Sequence, residues 1–399
     1  VTPGLQRLLD NKGARRVLAA LGDGPDSARI VGGAVRDALL DRPVHDIDIA
    51  TSCVPEETQA RLGAAKIKAV PTGIAHGTIT AVVNGKGIEV TTLRLDLATD
   101  GRHAEVAFTD DWQADASRRD FTFNALSLDQ TGVVHDYFGG QQDLAAGLVR
   151  FVGEADARVR EDYLRILRFF RFFAWYGVGE PDAAALSACE AGRNGLAQLS
   201  AERIRVELLK LLGAPDPLPA AKAMAEAGVL QGLLGADAPD ALAKLISVEG
   251  AVDPLLRLAA LAPGDATEMK ALGEKLRLSN AERRSLSDLA KPWNDLDAEP
   301  SAMLYRMGAD RYRRRALLAF AVQGKPLAGK LAAADAWTSK TFPLAGRDLL
   351  ALGVPKGPAV GVLHSSLEAW WIDCGFRPSK TDILREAEAR LSGASGEGK

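Results

Sequence analysis

From residue 28 to about 140, apolar and polar positions alternate singly, the period of strands with one buried face. "ARIVGG", "HDIDIAT", "GTITAVVNG", "KGIEVTTLRL", "AEVAFT" and "LSLDQTGVVHDYF" carry the alternation. Asn84-Gly85 sits where a two-residue hairpin turn belongs, and "AVRDALLD" fits a helix. From about residue 150 the period changes to that of a helix. "EDYLRILRFFRFFAWYG", "SAERIRVELLKLLG" and "PLPAAKAMAEAGVLQGLLG" place apolar residues at i, i+3 and i+4. The pattern predicts an α+β protein, a small mixed β-sheet head followed by an elongated all-α neck, body and tail. Turn clusters at 213–219, 261–267 and 296–301 mark joints. The expected divisions are helical segments at 1–27, a head at 28–149, a neck at 150–213, a body at 214–298 and a tail at 299–392. Residues 393–399, "GASGEGK", are expected to be disordered.

Composition narrows the class. The chain has 399 residues, is 47% hydrophobic and 25% charged, and contains no apolar run of membrane-spanning length. Cys53, Cys189 and Cys374 are isolated, without metal-ligand spacing, which suits a reducing compartment; the expectation is cytoplasmic, with no membrane association. A net charge of −3 gives no global attraction to nucleic acid, so such binding must be local.

The candidate chemistry begins with "RIVGGAVRDALLDRPVHDIDIATS", residues 29–52. On one strand Asp46 and Asp48 share a face, and two adjacent like charges want a cation. Alone, the pair also describes a solvated strand edge. Gly32-Gly33 before the helix changes this, because glycines between strand and helix let the backbone approach a phosphate. The spacing is neither a dinucleotide fingerprint nor a P-loop. Carboxylates beside a phosphate cradle point to Mg²⁺ and in-line phosphoryl or nucleotidyl transfer.

Gly32-Gly33-x-Val35-Arg36-Asp37, followed by Asp46-x-Asp48-Ile49-Ala50-Thr51, resembles the signature of the class II tRNA nucleotidyltransferase and bacterial poly(A) polymerase family, within the DNA polymerase β superfamily. "RRDFTFNAL" (118–126) resembles its second motif, with Phe123 where Ile is usual. "DYFGGQQDLAAGLVRFVG" (136–153), "REDYLRILRFFRF" (160–172) and "LSAERIRVEL" (199–208) resemble the linking, nucleotide-reading and neck motifs. The likeness runs unbroken over residues 28–212 and thins beyond. It implies a polymerase-β-like nucleotidyltransferase head and a Mg²⁺-dependent enzyme extending tRNA 3′ ends with CCA from CTP and ATP. A poly(A) polymerase, or an enzyme adding only A or only CC, would share every core motif; a catalytically silent RNA-binding protein is the alternative of another class.

The resemblance assigns roles residue by residue. Asp46 and Asp48 are the metal ligands, with Glu89 of "GIEVTTLR" as candidate third carboxylate. Gly32, Gly33 and Arg36 face nucleotide phosphates, with Asp37 buried against backbone donors. Arg119 contacts phosphate or sugar, and Asp120 positions the ribose. Asp162 and Arg165 read the base edge: a carboxylate accepts from an exocyclic amine and a guanidinium donates to ring nitrogen or carbonyl. C and A both offer that amine; U and G do not. Spaced three apart, Asp162 and Arg165 are expected to be neighbours on one helix, with Arg168 and Arg171 continuing the stripe. Residues 95–106 fall where the family has a mobile loop.

RNA contact is expected from the helical half. "LYRMGADRYRRRALL" (304–318) concentrates Arg306, Arg311, Arg313, Arg314 and Arg315 with two tyrosines, although such a run also describes a solvated face. Arg203, Arg205 and Lys210 on the neck are alternatives. Trp370-Trp371 reads as tail packing. The sequence leaves the oligomeric state open.

Overall fold

The alternating segments become strands whose inward residues cover one layer of helices. In chain order come α1 (Pro3–Leu9), α2 (Lys12–Leu21), β1 (Ala28–Val31), α3 (Gly33–Leu39), β2 (Asp48–Thr51), α4 (Pro55–Ala64), β3 (Lys68–Gly73), β4 (Thr78–Val83) and β5 (Lys86–Thr92). β6 (Arg94–Thr99) and β7 (Ala104–Phe108) form a separate antiparallel pair, and α5 (Trp112–Ser117) follows. β8 (Ser127–Leu128) and β9 (Val134–His135) complete the main sheet, in the order β3-β4-β5-β2-β1-β8-β9. The β2–β5 pair is parallel and its neighbours antiparallel, so the sheet is mixed. This computed structural model describes residues 2–22, 24–99, 104–290, 292, 293, 296 and 299–394. The expected disordered tail, 393–399, lies outside them except for its first two residues.

Ile30, Ile49, Ile79 and Val90 point from the sheet into a cluster with Leu5, Val17, Leu21, Val35 and Leu62, all at most 4% exposed. Each such burial contributes about 1.5–3 kcal/mol, enough to fix register. A one-residue slip would expose the whole set. The β4–β5 hairpin turns at Asn84 and Gly85, both at positive φ, as the turn requires. Two details depart from the expected pattern. β2 starts at Asp48, so Asp46 precedes the strand rather than belonging to it. β3 was not expected; its Pro71 is tolerated because β3 is an edge strand.

After α6 (Gly140–Ala146), the stretch expected to form the neck holds α7 (Ala155–Glu161), α8 (Leu164–Tyr176), α9 (Ala183–Gly192) and α10 (Ala201–Leu212). Head and neck share an aromatic core. Phe121 stacks on Phe151 at 4.7 Å and meets Phe172 of α8 edge-on at 5.2 Å; Phe123 reaches Phe172 at 5.6 Å. Phe123, at the position where the resemblance leads one to expect Ile, extends this cluster, stacking on Phe121 at 5.9 Å. α11 (Leu218–Glu226) and α12 (Val229–Leu234) belong to the same compact unit, residues 1–239 with 252–254 and 275–278.

The second unit, 240–251, 255–274 and 279–399, is helical among its described residues. It includes α13 (Asp240–Ile246), α14 (Pro254–Leu261), α15 (Ala266–Lys275), α16 (Asn280–Leu289), α17 (Pro300–Met307), α18 (Ala309–Gln323), α19 (Ala328–Ala336), α20 (Gly346–Ala351), α21 (Pro358–Asp373) and α22 (Lys380–Ala394). Trp371 is buried among Tyr305, Phe342 and Phe376, and Trp370 packs at the edge of that cluster, as their tail-packing reading requires. No helix among the described residues is long and apolar enough to cross a membrane.

Candidate active site

One cavity of about 1240 Å³ runs from the sheet to the neck helices. Nine arginines and one lysine line it, against four aspartates, so it is strongly positive in a chain of net charge −3. Gly32, Gly33, Arg36, Asp48, Arg119, Asp120, Asp162, Arg165, Arg168 and Arg171 all lie on its wall.

At the sheet end, parallel pairing sets Asp48 of β2 directly beside Glu89 of β5. Ile49, Ile88 and Val90 point into the core, which turns both carboxylates to the opposite face. Asp48 is exposed by area, yet protein surrounds its carboxyl at the cavity wall. That partial burial, then Glu89 and Asp46, push its pKa above the usual carboxylate range, while the Arg119 guanidinium counteracts them. A carboxyl crowded by other acids in this way suits a divalent cation. Among the described residues no three His, Cys, Asp or Glu side chains converge as a ready-made cage. A small hard cation that keeps its waters and shares substrate phosphates needs only one or two carboxylates, so Asp46 and Asp48 fit it.

Gly32 has φ +69° and ψ −129°, closed to other residues, and a side chain there would come 3.1 Å from the Arg119 guanidinium. Its N–H donates to the Leu126 carbonyl at 3.0 Å and is not offered to a ligand. Arg36 is buried, donating to Asn124 Oδ1 at 2.7 Å and to both Asp37 oxygens. Asp37 also accepts from the Tyr176 hydroxyl at 2.8 Å; its donors are side chains, not the expected backbone amides.

Asp120 is buried, with Phe121 N and Asn124 Nδ2 donating to Oδ1 and Arg168 Nε to Oδ2 at 2.6 Å. Burial alone would raise its pKa, but Arg168, Asn124 and the Phe121 amide together hold it below the usual range. Arg171 pairs with buried Glu207 at 3.1 Å, and its guanidinium lies 4.1 Å from the Phe172 ring. These ion pairs tie the "RRDF" segment and α8 to α10.

Asp162 and Arg165 do not share a helix. Asp162 is extended (φ −155°, ψ 108°) in the break between α7 and α8, where its Oδ1 accepts from Leu164 N at 3.0 Å and so caps α8. Its Oδ2 accepts from Arg203 at 2.6 Å. Arg165 instead pairs with Glu161 and donates to the carbonyls of Arg158 and Arg118. A capping aspartate stabilises the break better than one more helical residue would. Both side chains still line the cavity; Asp162 keeps lone pairs free, and Arg165 keeps its Nε–H.

The α18 arginines are largely engaged within their own unit. Arg311 pairs with Asp288, Arg313 with Asp335, and Arg314 Nη1 donates to Ser285 Oγ at 2.8 Å. Arg315 is 2% exposed and donates to the Pro292 carbonyl. Arg306 is exposed near the end of α17. On the neck, Arg205 donates to the Arg277 carbonyl at 2.6 Å.

Sequence reasoning missed Asp115. It is 3% exposed and holds Arg118 at 2.8 Å, Arg119 at 3.3 Å and the backbone N–H of Arg94. The spacing was visible: Asp115 precedes Arg118 and Arg119 by three and four positions on one helical turn.

A mixed sheet that carries Asp48, beside a second strand carboxylate, onto a positive cavity fits a nucleotidyltransferase. The model of the poly A polymerase head domain matches residues 28–150, and that of a probable RNA and SrmB-binding site of polymerase A matches 180–243. The zebrafish (Danio rerio) protein named CCA tRNA nucleotidyltransferase 1, mitochondrial, is 36% identical over 382 residues, 89% of this chain and 86% of its own. Its Homo sapiens counterpart is 35% identical over 89% and 85%. A Bacillus stearothermophilus CCA-adding enzyme, solved in complex with CTP, superposes with TM-score 0.78 at 27% identity over 99% of both chains. This chain belongs to the class II CCA-adding tRNA nucleotidyltransferase family, whose chemistry generally needs a divalent metal.

Proposed function

We propose that this protein adds CCA, or its terminal nucleotides, to tRNA 3′ ends from CTP and ATP by in-line nucleotidyl transfer with Mg²⁺. The observation that carries the reading is that one cavity is lined by Asp48, whose neighbour on the next strand is Glu89, and by Asp162 and Arg165. The relatives named as CCA-adding enzymes support the substrate assignment.

Asp46 and Asp48 are the residues to hold Mg²⁺, with Glu89 beside Asp48 as third carboxylate. The metal, when bound, neutralises triphosphate charge and acidifies the RNA 3′-hydroxyl. The chain's own groups do the positioning. Arg119 and Arg36 set the sugar and phosphates, and Gly32-Gly33 let them approach the backbone. The 3′-oxygen forms a bond to the α-phosphorus as the bond to the β-phosphate oxygen breaks, and pyrophosphate leaves with the electron pair. The hydroxyl proton leaves to solvent. Asp162 accepts the exocyclic amine of C or A and Arg165 donates to the ring edge, while U and G present a carbonyl to a carboxylate and are repelled. Asp120, with its oxygens committed, orients Arg168 rather than reaching the ribose itself. Free Cys53, Cys189 and Cys374 suit a reducing compartment, and we place the protein in the cytoplasm.

The test is purified protein with Mg²⁺, single labelled nucleotides, and tRNA transcripts ending before, within and after CCA. CTP should extend the first, ATP should extend only the transcript ending in CC, and the completed end should be inert. Continued A addition to the completed end would identify a poly(A) polymerase instead.

A further inference from the structure

The cavity is larger than one nucleotide needs. Pockets for single small ligands occupy about 300–1,000 Å³, and this one holds about 1240 Å³. Its cations are also unequally committed. Arg36, Arg118, Arg119, Arg165, Arg168, Arg171 and Arg203 each have a carboxylate partner. Arg94 is held by the His76 carbonyl, whereas among the described residues Arg42 and Lys210 have no carboxylate partner. Both are exposed, both line the cavity, and both are hydrogen-bonded to one aromatic residue, Trp175, Arg42 through its guanidinium and Lys210 through its backbone carbonyl. Arg42 Nη1 donates to the Trp175 carbonyl at 3.1 Å, and the Trp175 indole N–H donates to the Lys210 carbonyl at 2.8 Å. The Arg42 guanidinium lies 4.6 Å from the centre of the Tyr176 ring, which fixes its height above α8. Trp175 is 37% exposed, an uncommon state for an indole on a cavity wall.

We propose that Arg42, Trp175 and Lys210 form a subsite for the single-stranded 3′ end of the RNA being extended, distinct from the site of the incoming nucleotide. Two uncompensated cations flanking a fixed, exposed ring match a strand that alternates phosphates with stackable bases. Pro43 and His45, also on the wall, continue from Arg42 along the chain to Asp46, so the subsite leads to the reacting end. The inference rests on the reading of this cavity as the transfer site of an RNA-extending enzyme, and it names where the acceptor lies.

The test is equilibrium binding, without nucleotide or metal, of a tRNA transcript lacking CCA and of the same transcript without its unpaired 3′ nucleotide, over a salt series. Arg42→Gln, Lys210→Ala and Trp175→Ala should each weaken binding of the first transcript about five- to tenfold and leave the shortened one unaffected. The two charge removals should each flatten the logarithmic salt slope by about 0.7, the increment for a single strand. Trp175→Ala should leave the slope alone, and Trp175→Phe should restore affinity. Arg42→Gln keeps a side chain able to reach the Trp175 carbonyl, and matched melting temperatures exclude misfolding as the cause. CTP affinity, measured separately, should stay within twofold. Loss of CTP affinity with unchanged RNA affinity would give this corner to the triphosphate, and equal losses for both transcripts, or none, would equally overturn the proposal. Because nothing here requires incorporation, an inactive protein that still showed this binding pattern would refute only the catalytic reading.

Discussion

Asp115 and Arg119 form a 3.3 Å ion pair across one turn, and the same carboxylate holds Arg118 at 2.8 Å. Burial works against ionising Asp115, but the two guanidiniums outweigh it and keep the carboxylate charged. Asp115 is thus a positioning residue for two cations on the cavity wall. Asp115→Asn should raise the KM for CTP about tenfold and barely change binding of cytidine, which has no phosphates to misalign. Adding Asp115→Asn to Arg119→Ala should cost little more than Arg119→Ala alone, a non-additivity that a purely structural role would not produce.

The raised pKa of Asp48 predicts a pH limb. Protonated Asp48 cannot ligate a cation, so activity should fail on acidification at a pH above the ordinary aspartate range. Removing the neighbouring charge with Glu89→Gln should move that limb to lower pH, and removing the opposing charge with Arg119→Ala should move it to higher pH. The shift is measured on residual activity, or as carboxyl titration by NMR without metal. Ionising Asp48 also costs folding stability as pH rises from its unfolded to its folded pKa. Mg²⁺ should therefore raise the melting temperature at neutral pH, and less so in Asp48→Ala. Asp46→Ala or Asp48→Ala should abolish incorporation and spare tRNA binding; equal loss of both activities would contradict the assignment.

Arg203 holds one oxygen of Asp162, the proposed base-reading carboxylate. Asp162→Ala and Arg165→Ala should loosen the preference for C and A more than they slow transfer, read as incorporation of UTP and GTP relative to CTP. Arg203→Ala should have the same sign but a smaller effect, because it removes the tether of Asp162 and leaves the carboxylate. A variant that is slow with unchanged selectivity would remove the template role.

Asp120→Asn strips Arg168 of its carboxylate while keeping size. Breaking a buried pair costs several kcal/mol, and since Arg168 is 31% exposed the expected loss is about 3 kcal/mol, visible in denaturant midpoints. The stabilisation is present above the unfolded pKa of Asp120 and lost as pH falls through its depressed folded value. The difference between wild type and variant should shrink in acid.

Asp48 and Glu89 were legible because strand period and hydrophobic alternation together dictate which way each side chain points, and a parallel register then sets them side by side. The hairpin at Asn84-Gly85 was legible from turn chemistry. The helix break at Asp162 was not. The apolar spacing of "EDYLRILRFF" continues smoothly into α8, and only the competition between a helical residue and a side-chain cap decides where the helix starts. Arg42, Trp175 and Lys210 were illegible for another reason: their relation is purely tertiary. The arginine run of α18 looked like one charged face, but acids from other helices neutralise part of it, and periodicity carries no record of such pairing.

The packed rings of Phe121, Phe151 and Phe172 join the head to α8, so the cavity wall that carries Asp48 and the wall that carries Arg165 share one aromatic core. A change in that core would therefore be felt at both walls of the cavity, without touching either.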